Sequence, residues 1–196
     1  MNSNALLQQL PNSLTFLRLL LAVPLGLCIL REAYPLALVV GVAAGITDGL
    51  DGFFARRLQA LSRLGAILDP IADKTLITVC FLSFAVVELV PWYLAIIVIL
   101  RDLVIIAGAI SYRLFVGPFK VAARALSKGN MFLQISFCVL VLLAQVIPDI
   151  PQWSLVVGAQ LVIALCIISG VDYVWSWTVR AVEANKDKRQ RPKGHD

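Results

Sequence analysis

Residues 35–58 read PLALVVGVAAGITDGLDGFFARRL. From Pro35 to Ile46 every residue is apolar or glycine; Asp48 and Asp51 then arrive within one turn, and Arg56 and Arg57 close the stretch. Period-two alternation is absent, so the stretch does not read as a half-buried strand. As an α-helix it is about 36 Å long, enough to cross a hydrocarbon core of about 30 Å. The apolar run predicts a spanning helix, and the two aspartates near its end predict that the helix does more than span.

Five more stretches repeat the pattern: Leu14–Leu30, Gly65–Val87, Pro91–Phe115, Met131–Ile147 and Trp153–Val179. Together they account for a chain that is 60% apolar with a mean hydropathy of +0.87. Soluble domains hold roughly 45–50% apolar residues, and 196 residues could not bury this excess in one water-facing fold. In lipid the backbone must satisfy itself, which leaves helices or closed barrels, and runs this long exclude the barrel. The expected fold class is therefore all-α, a polytopic membrane protein with six transmembrane helices. The expected domain covers residues 1–179, followed by a basic, disordered tail over 180–196. Pro11-Asn12-Ser13 is expected to start the first long helix, with Asn4–Leu10 as a short interfacial helix before it.

Basic residues set the orientation. Arg56, Arg57 and Arg63 follow the second span, Arg113, Lys120, Arg124 and Lys128 follow the fourth, and six Lys or Arg lie in the tail. The other loops contribute only Arg31. Even-numbered connections and both termini are expected in the cytoplasm, as in a bacterial-type inner membrane. Met1–Leu10 lacks Lys and Arg, so the basic start of a signal peptide is missing. Cys28, Cys80, Cys138 and Cys166 lie singly in apolar runs and read as small buried hydrophobes. The sole histidine is His195, beside the C-terminus, which disfavours Ser-His-Asp hydrolysis.

Asp48, Asp51, Asp69 and Asp73 are four of the twelve acidic residues, and they crowd the end of the second span and the start of the third. An ionisable group at membrane depth costs several kcal/mol unless paired or hydrated, and four carboxylates together repel one another. Spacings of three and four put each pair on one helix face. If the two helices pack antiparallel across a short loop, the faces meet as an all-oxygen site suited to Mg²⁺ or Mn²⁺. Interfacial aspartates that merely solvate a loop would explain one such residue, not four interleaved with Gly52, Ala55, Arg56 and Gly65.

These residues read Asp48-x-x-Asp51-Gly52-x-x-Ala55-Arg56, eight residues, then Gly65-x-x-x-Asp69-x-x-x-Asp73. The pattern resembles the signature of the CDP-alcohol phosphatidyltransferase family at all eight of its positions. Pro11-Asn12-x-Leu14-Thr15-x-x-Arg18 and Leu68-Asp69-Pro70-x-Ala72-Asp73-Lys74 resemble that family's phosphatidylglycerophosphate and cardiolipin branch. The resemblance implies six spans, a homodimer, and a site at the cytoplasmic membrane surface. The implied reaction moves a phosphatidyl group from CDP-diacylglycerol to a glycerol-containing acceptor and releases CMP. The same resemblance makes Asp48, Asp51, Asp69 and Asp73 metal ligands, with Asp73 the candidate base and Asp69 beside it in the catalytic set. Gly52, Ala55, Arg56 and Gly65 become nucleotide and diphosphate contacts.

For the acceptor, Arg101-Asp102, Ser127-Lys128 and Gln134 resemble eukaryotic-type cardiolipin synthases. The second lysine expected of phosphatidylglycerophosphate synthases is missing after Lys128, where Gly129-Asn130 stands. Arg101, Arg113 and Lys128 are the candidate ligands of an acceptor phosphate. Against that, Arg101 can simply pair with Asp102, and Lys128 can reach lipid headgroups. Partners other than lipid, bilayer and a second copy are not expected, nucleic acid included. Two rival readings remain: a cation-coupled membrane transporter with an aspartate site, and an intramembrane aspartyl protease suggested by Thr47-Asp48-Gly49. The first calls for acidic residues through the membrane depth, and the second explains neither four carboxylates nor Arg56.

Overall fold

The computed structural model describes the backbone of residues 3–58, 65–115 and 125–190, and the side chains of 16–17, 19–47, 74–108, 126–173 and 175–176. Among the described residues the elements are six helices: α1 (Ser3–Leu30), α2 (Tyr34–Leu58), α3 (Gly65–Val86), α4 (Trp92–Phe115), α5 (Ala125–Val146) and α6 (Gln152–Gln190). By length and composition, two helical segments among the described residues are apolar enough to cross a membrane: Leu126–Val146 and Gln152–Tyr173. Shorter apolar helical segments occupy Leu19–Leu30, Tyr34–Thr47 and Lys74–Val86.

Three helix bounds depart from expectation. The backbone stays helical across Pro11, so there is no separate short helix before α1. A proline removes one backbone bond and crowds the preceding turn, but no glycine or second proline adjoins Pro11 to end the helix. α5 starts at Ala125 rather than Met131 and so takes in Ser127, Lys128 and Asn130. α6 continues past Val179 to Gln190, where a disordered tail was expected. Residues 180–190 hold good helix formers such as Ala, Glu, Lys and Arg, and the first breaker is Pro192.

Tight turns at one end of the bundle join α1 to α2 and α3 to α4. Both end their first helix on a left-handed residue, Glu32 (φ 57°) and Glu88 (φ 60°). The Ala33 N–H donates to the Cys28 carbonyl and the Leu89 N–H to the Phe84 carbonyl, each at 2.9 Å. These six-to-one bonds are Schellman caps with glutamate where glycine is usual. At the third turn of this end, the Ser154 N–H donates to the Pro151 carbonyl at 3.0 Å as α6 opens, and the Ser154 hydroxyl donates to the same carbonyl at 2.7 Å.

α1 packs on both α2 and α3, α4 and α5 pack on α6, and the two groups meet where α2 packs on α5 and α3 on α4 and α5. The core lies where these groups meet, around Leu25, Ile29, Phe81, Phe84, Leu94, Val98, Val141 and Val162. Phe81 stacks on Phe137 with ring centroids 6.1 Å apart. Two glycines permit close approach: a Cβ on Gly26 would lie 2.7 Å from Val79 Cγ1, and one on Gly158 2.8 Å from Phe137 Cδ2. Outward faces are strongly apolar, with Val39, Ile46, Leu103, Phe132, Leu161, Val171 and Trp175 all exposed.

Candidate active site

The carboxylate motif sits on two continuous helices. Asp48, Asp51, Gly52, Ala55 and Arg56 belong to the last turns of α2, and Gly65, Asp69 and Asp73 to the first turns of α3. The helical backbone through both segments supports the face-sharing that the spacing predicts. The side chains of these eight residues, and that of Arg113, lie outside the described residues. Four carboxylates without histidine or thiolate form a hard-oxygen donor set, and so fit Mg²⁺ or Mn²⁺ by their chemistry. Among the described residues, no three His, Cys, Asp or Glu side chains gather to hold a metal ion.

Direct packing of α2 on α3 was the expected way to join the two aspartate faces. Among the described residues the two helices make no close backbone contact; α1 and α5 frame the space between them. There α2 contributes Leu38, Gly41 and Val42, and α3 contributes Leu76, Ile77 and Cys80, to a cavity of about 40 Å³. Asp48 lies two turns beyond Gly41 on α2, and Asp73 lies two turns before Cys80 on α3. Helical register therefore carries these positions along the two cavity-facing sides toward one end of the bundle.

Beside this site stands a charged cluster built from four helices. Asp102 Oδ1 on α4 accepts from Lys74 Nζ on α3 at 2.6 Å and from Arg101 at 2.7 Å. Arg101 Nε donates to Ser169 Oγ on α6 at 3.0 Å, and a terminal nitrogen reaches the same hydroxyl at 2.6 Å. That nitrogen also donates to Ser127 Oγ on α5 at 3.1 Å. Arg101 and Asp102 are only 8% and 7% exposed. Among the described residues this cluster holds two cations and one carboxylate. Arg101 also lines a cavity of about 520 Å³ between α4 and α6, walled by Leu100, Val104, Ile167, Val171 and Trp175. Lys128, in the first turns of α5, is exposed.

A second buried polar joint ties α5 to α6. Gln134 Nε2 donates to Cys166 Sγ at 3.3 Å, and that thiol donates to Asn130 Oδ1 at 3.4 Å. Cys166 is thus a polar contact as well as a small buried residue. Asn130 Nδ2 is the single buried side-chain polar atom without a partner among the described residues. Sequence reasoning passed over Ser169, and it read Asn130 only as the missing lysine. The available signal was polarity at membrane depth, which marks residues that face other helices.

The profile of the CDP-alcohol phosphatidyltransferase family matches residues 8–177. Over 105 residues, 53% of this chain and 35% of the relative, the sequence is 43% identical to the rat (Rattus norvegicus) protein named cardiolipin synthase (CMP-forming). It is 31% identical over 188 residues to a probable phosphatidylglycerophosphate synthase of Mycobacterium tuberculosis, covering 87% of this chain and 82% of that one. A third relative, the CDP-diacylglycerol–glycerol-3-phosphate 3-phosphatidyltransferase of Aquifex aeolicus, is 42% identical over 74 residues, 38% of this chain and 42% of its own length. The match thus spans about a third of the length of the mammalian relatives, and most of the mycobacterial one.

Proposed function

The chain belongs to the CDP-alcohol phosphatidyltransferase family, and from that premise we propose that it moves a phosphatidyl group from CDP-diacylglycerol to a glycerol-containing acceptor, releasing CMP. The observation that carries the reading is the complete eight-position motif, carried on two successive helices. Phosphatidylglycerol, giving cardiolipin, is the acceptor we place first; glycerol-3-phosphate, giving phosphatidylglycerophosphate, is second. Relatives of both names support the pair, and Arg101-Asp102 with Ser127-Lys128 supports the order. The family match leaves the transporter reading without support.

CDP-diacylglycerol brings an activated diphosphate, so the chain must supply position and charge. A divalent cation held by Asp48, Asp51, Asp69 and Asp73 supplies, when bound, charge neutralisation for the diphosphate and the departing CMP. Arg56 adds a planar fork matched to phosphate oxygens, and Gly52, Ala55 and Gly65 leave room for the nucleotide against the backbone. Asp73, with Asp69 one turn away, takes the proton of the acceptor hydroxyl. The acceptor oxygen then bonds to the lipid phosphorus as the bond to CMP breaks, with no covalent enzyme intermediate. Lys128, Arg101 and Arg113 remain the proposed ligands of an acceptor phosphate, although Arg101 already spends donors on Asp102, Ser127 and Ser169.

In this proposal all six helices cross the bilayer, the site opens at the cytoplasmic surface, and the protein works as a homodimer. The exposed tryptophans Trp153 and Trp175 support the crossing. Their separation along α6 is about 33 Å, matching a hydrocarbon core bounded by interfacial aromatic rings. Purified protein supplied with CDP-diacylglycerol and Mg²⁺ or Mn²⁺ tests the reaction, with each acceptor offered alone. Release of CMP with formation of cardiolipin from phosphatidylglycerol is expected, and EDTA should abolish it. Turnover with inositol or serine alone would refute the acceptor class, and undiminished turnover in EDTA the metal.

A further inference from the structure

We propose that Asp102 is a positioning residue for the carboxylate site, acting through Lys74 to set the rotation of α3. The proposal rests on the phosphatidyltransferase reading for its premise that the face of α3 bearing Asp69 and Asp73 matters. Lys74 follows Asp73 directly in the chain. One residue along a helix is a turn of about 100°, so a tether at Lys74 controls rotation without occupying the aspartate face. Asp102 is that tether, at 2.6 Å. Farther along α3, Ile77 and Cys80 line the cavity shared with α2 and α5. α3 is thus held against α4 by charge at Lys74 and against α1 by packing, where Gly26 admits Val79.

The anchor itself is braced. Asp102 Oδ1 also receives Arg101, and Arg101 is held by Ser127 and Ser169. A shift of α3 would therefore have to break a network spanning α4, α5 and α6. Stability does not require this arrangement, because a buried ion pair replaced whole by apolar residues is often neutral or favourable. Its value lies in direction: Lys74 can satisfy its charge at one place on α4, and that place selects one rotation of α3.

The test uses the full chain in detergent with three variants: Asp102→Asn, Lys74→Arg, and the double Lys74→Met/Asp102→Leu. The double variant leaves buried Arg101 without its carboxylate and is expected to melt below the wild type, while kcat falls at least about tenfold, beyond what the lower melting temperature accounts for, the kind of loss that misplacement of reacting groups produces. Donor KM should move less than kcat, and Lys74→Arg, which keeps the charge, should retain most of the turnover. Melting with and without Mn²⁺ supplies a readout free of substrate: the rise caused by Mn²⁺ in the wild type should shrink in Asp102→Asn and in the double variant. A double variant whose kcat and Mn²⁺ response both match the wild type overturns the proposal. So does a series in which activity falls only in step with melting temperature, since that is a purely structural role. If the double variant does not fold, Asp102→Asn, which keeps the side-chain shape, decides by the same criteria. A wild type without turnover refutes the reaction itself, and the Mn²⁺ response then judges Asp102 alone.

Discussion

At each of Asp48, Asp51, Asp69 and Asp73, replacement by asparagine removes a charge while keeping the volume. Four carboxylates repel one another, so the amide should leave folding intact or ease it, while cation affinity falls. Each variant is expected to lose on the order of a hundredfold in kcat/KM, about 3 kcal/mol of transition-state stabilisation, with an unchanged melting temperature. Near-normal turnover in any one of them removes that residue from the site. A different residue-scale strain sits at Glu88, whose φ of 60° belongs to the region glycine favours. Glu88→Gly should raise stability by up to about 1 kcal/mol, the left-handed cost less the entropy of the added glycine. A lower melting temperature for that variant would mean that the glutamate side chain contributes more than its backbone costs.

Among the elements, α5 and α6 show how close packing and polarity share one interface. Gly158 brings α6 against the Phe137 ring, which itself stacks on Phe81. Gly158→Ala should cost about 1–3 kcal/mol through overpacking, read as a fall in melting temperature, because the added Cβ meets a ring that its stacking partner holds. An unchanged melting temperature would show that the ring can move. The helical extent of α6 is an element-scale result of the same kind: nothing between Val179 and Gln190 breaks a helix, so polarity alone does not end it. Polarity instead marks where the membrane would stop.

For the whole molecule, the arrangement of basic residues and the cavity-facing sides of α2 and α3 point to one functional end. The short turns after α1, α3 and α5 occupy the other end, and Glu32, Glu88 and Asp149 lie in them. Single cysteines placed at position 181 and in the 31–33 turn, in a background with Cys28, Cys80, Cys138 and Cys166 replaced, should label from opposite sides of sealed vesicles. Residue 181 should react only from the cytoplasmic side. Equal labelling of both from one side would overturn the six-span arrangement and the cytoplasmic site with it.

The apolar runs and the spacing Asp48-x-x-Asp51 with Asp69-x-x-x-Asp73 determined six helices, the placement of the motif on α2 and α3, and the family. They could do so because an apolar chain in lipid has to close its backbone bonds locally, and local bonds leave a local pattern. Helix ends were less legible: Pro11 did not start a helix, and Val179 did not end one. The pairing of Arg101 with Asp102 was legible in the sequence, but their partners on other helices, Lys74, Ser127 and Ser169, were decided by tertiary structure. Arg101 meets Ser169 across 68 positions of sequence, a separation that no periodicity records. So too with α2 and α3, adjacent in sequence yet framed by α1 and α5, because the rotation and crossing of each helix follow from the side chains it meets and not from its own pattern.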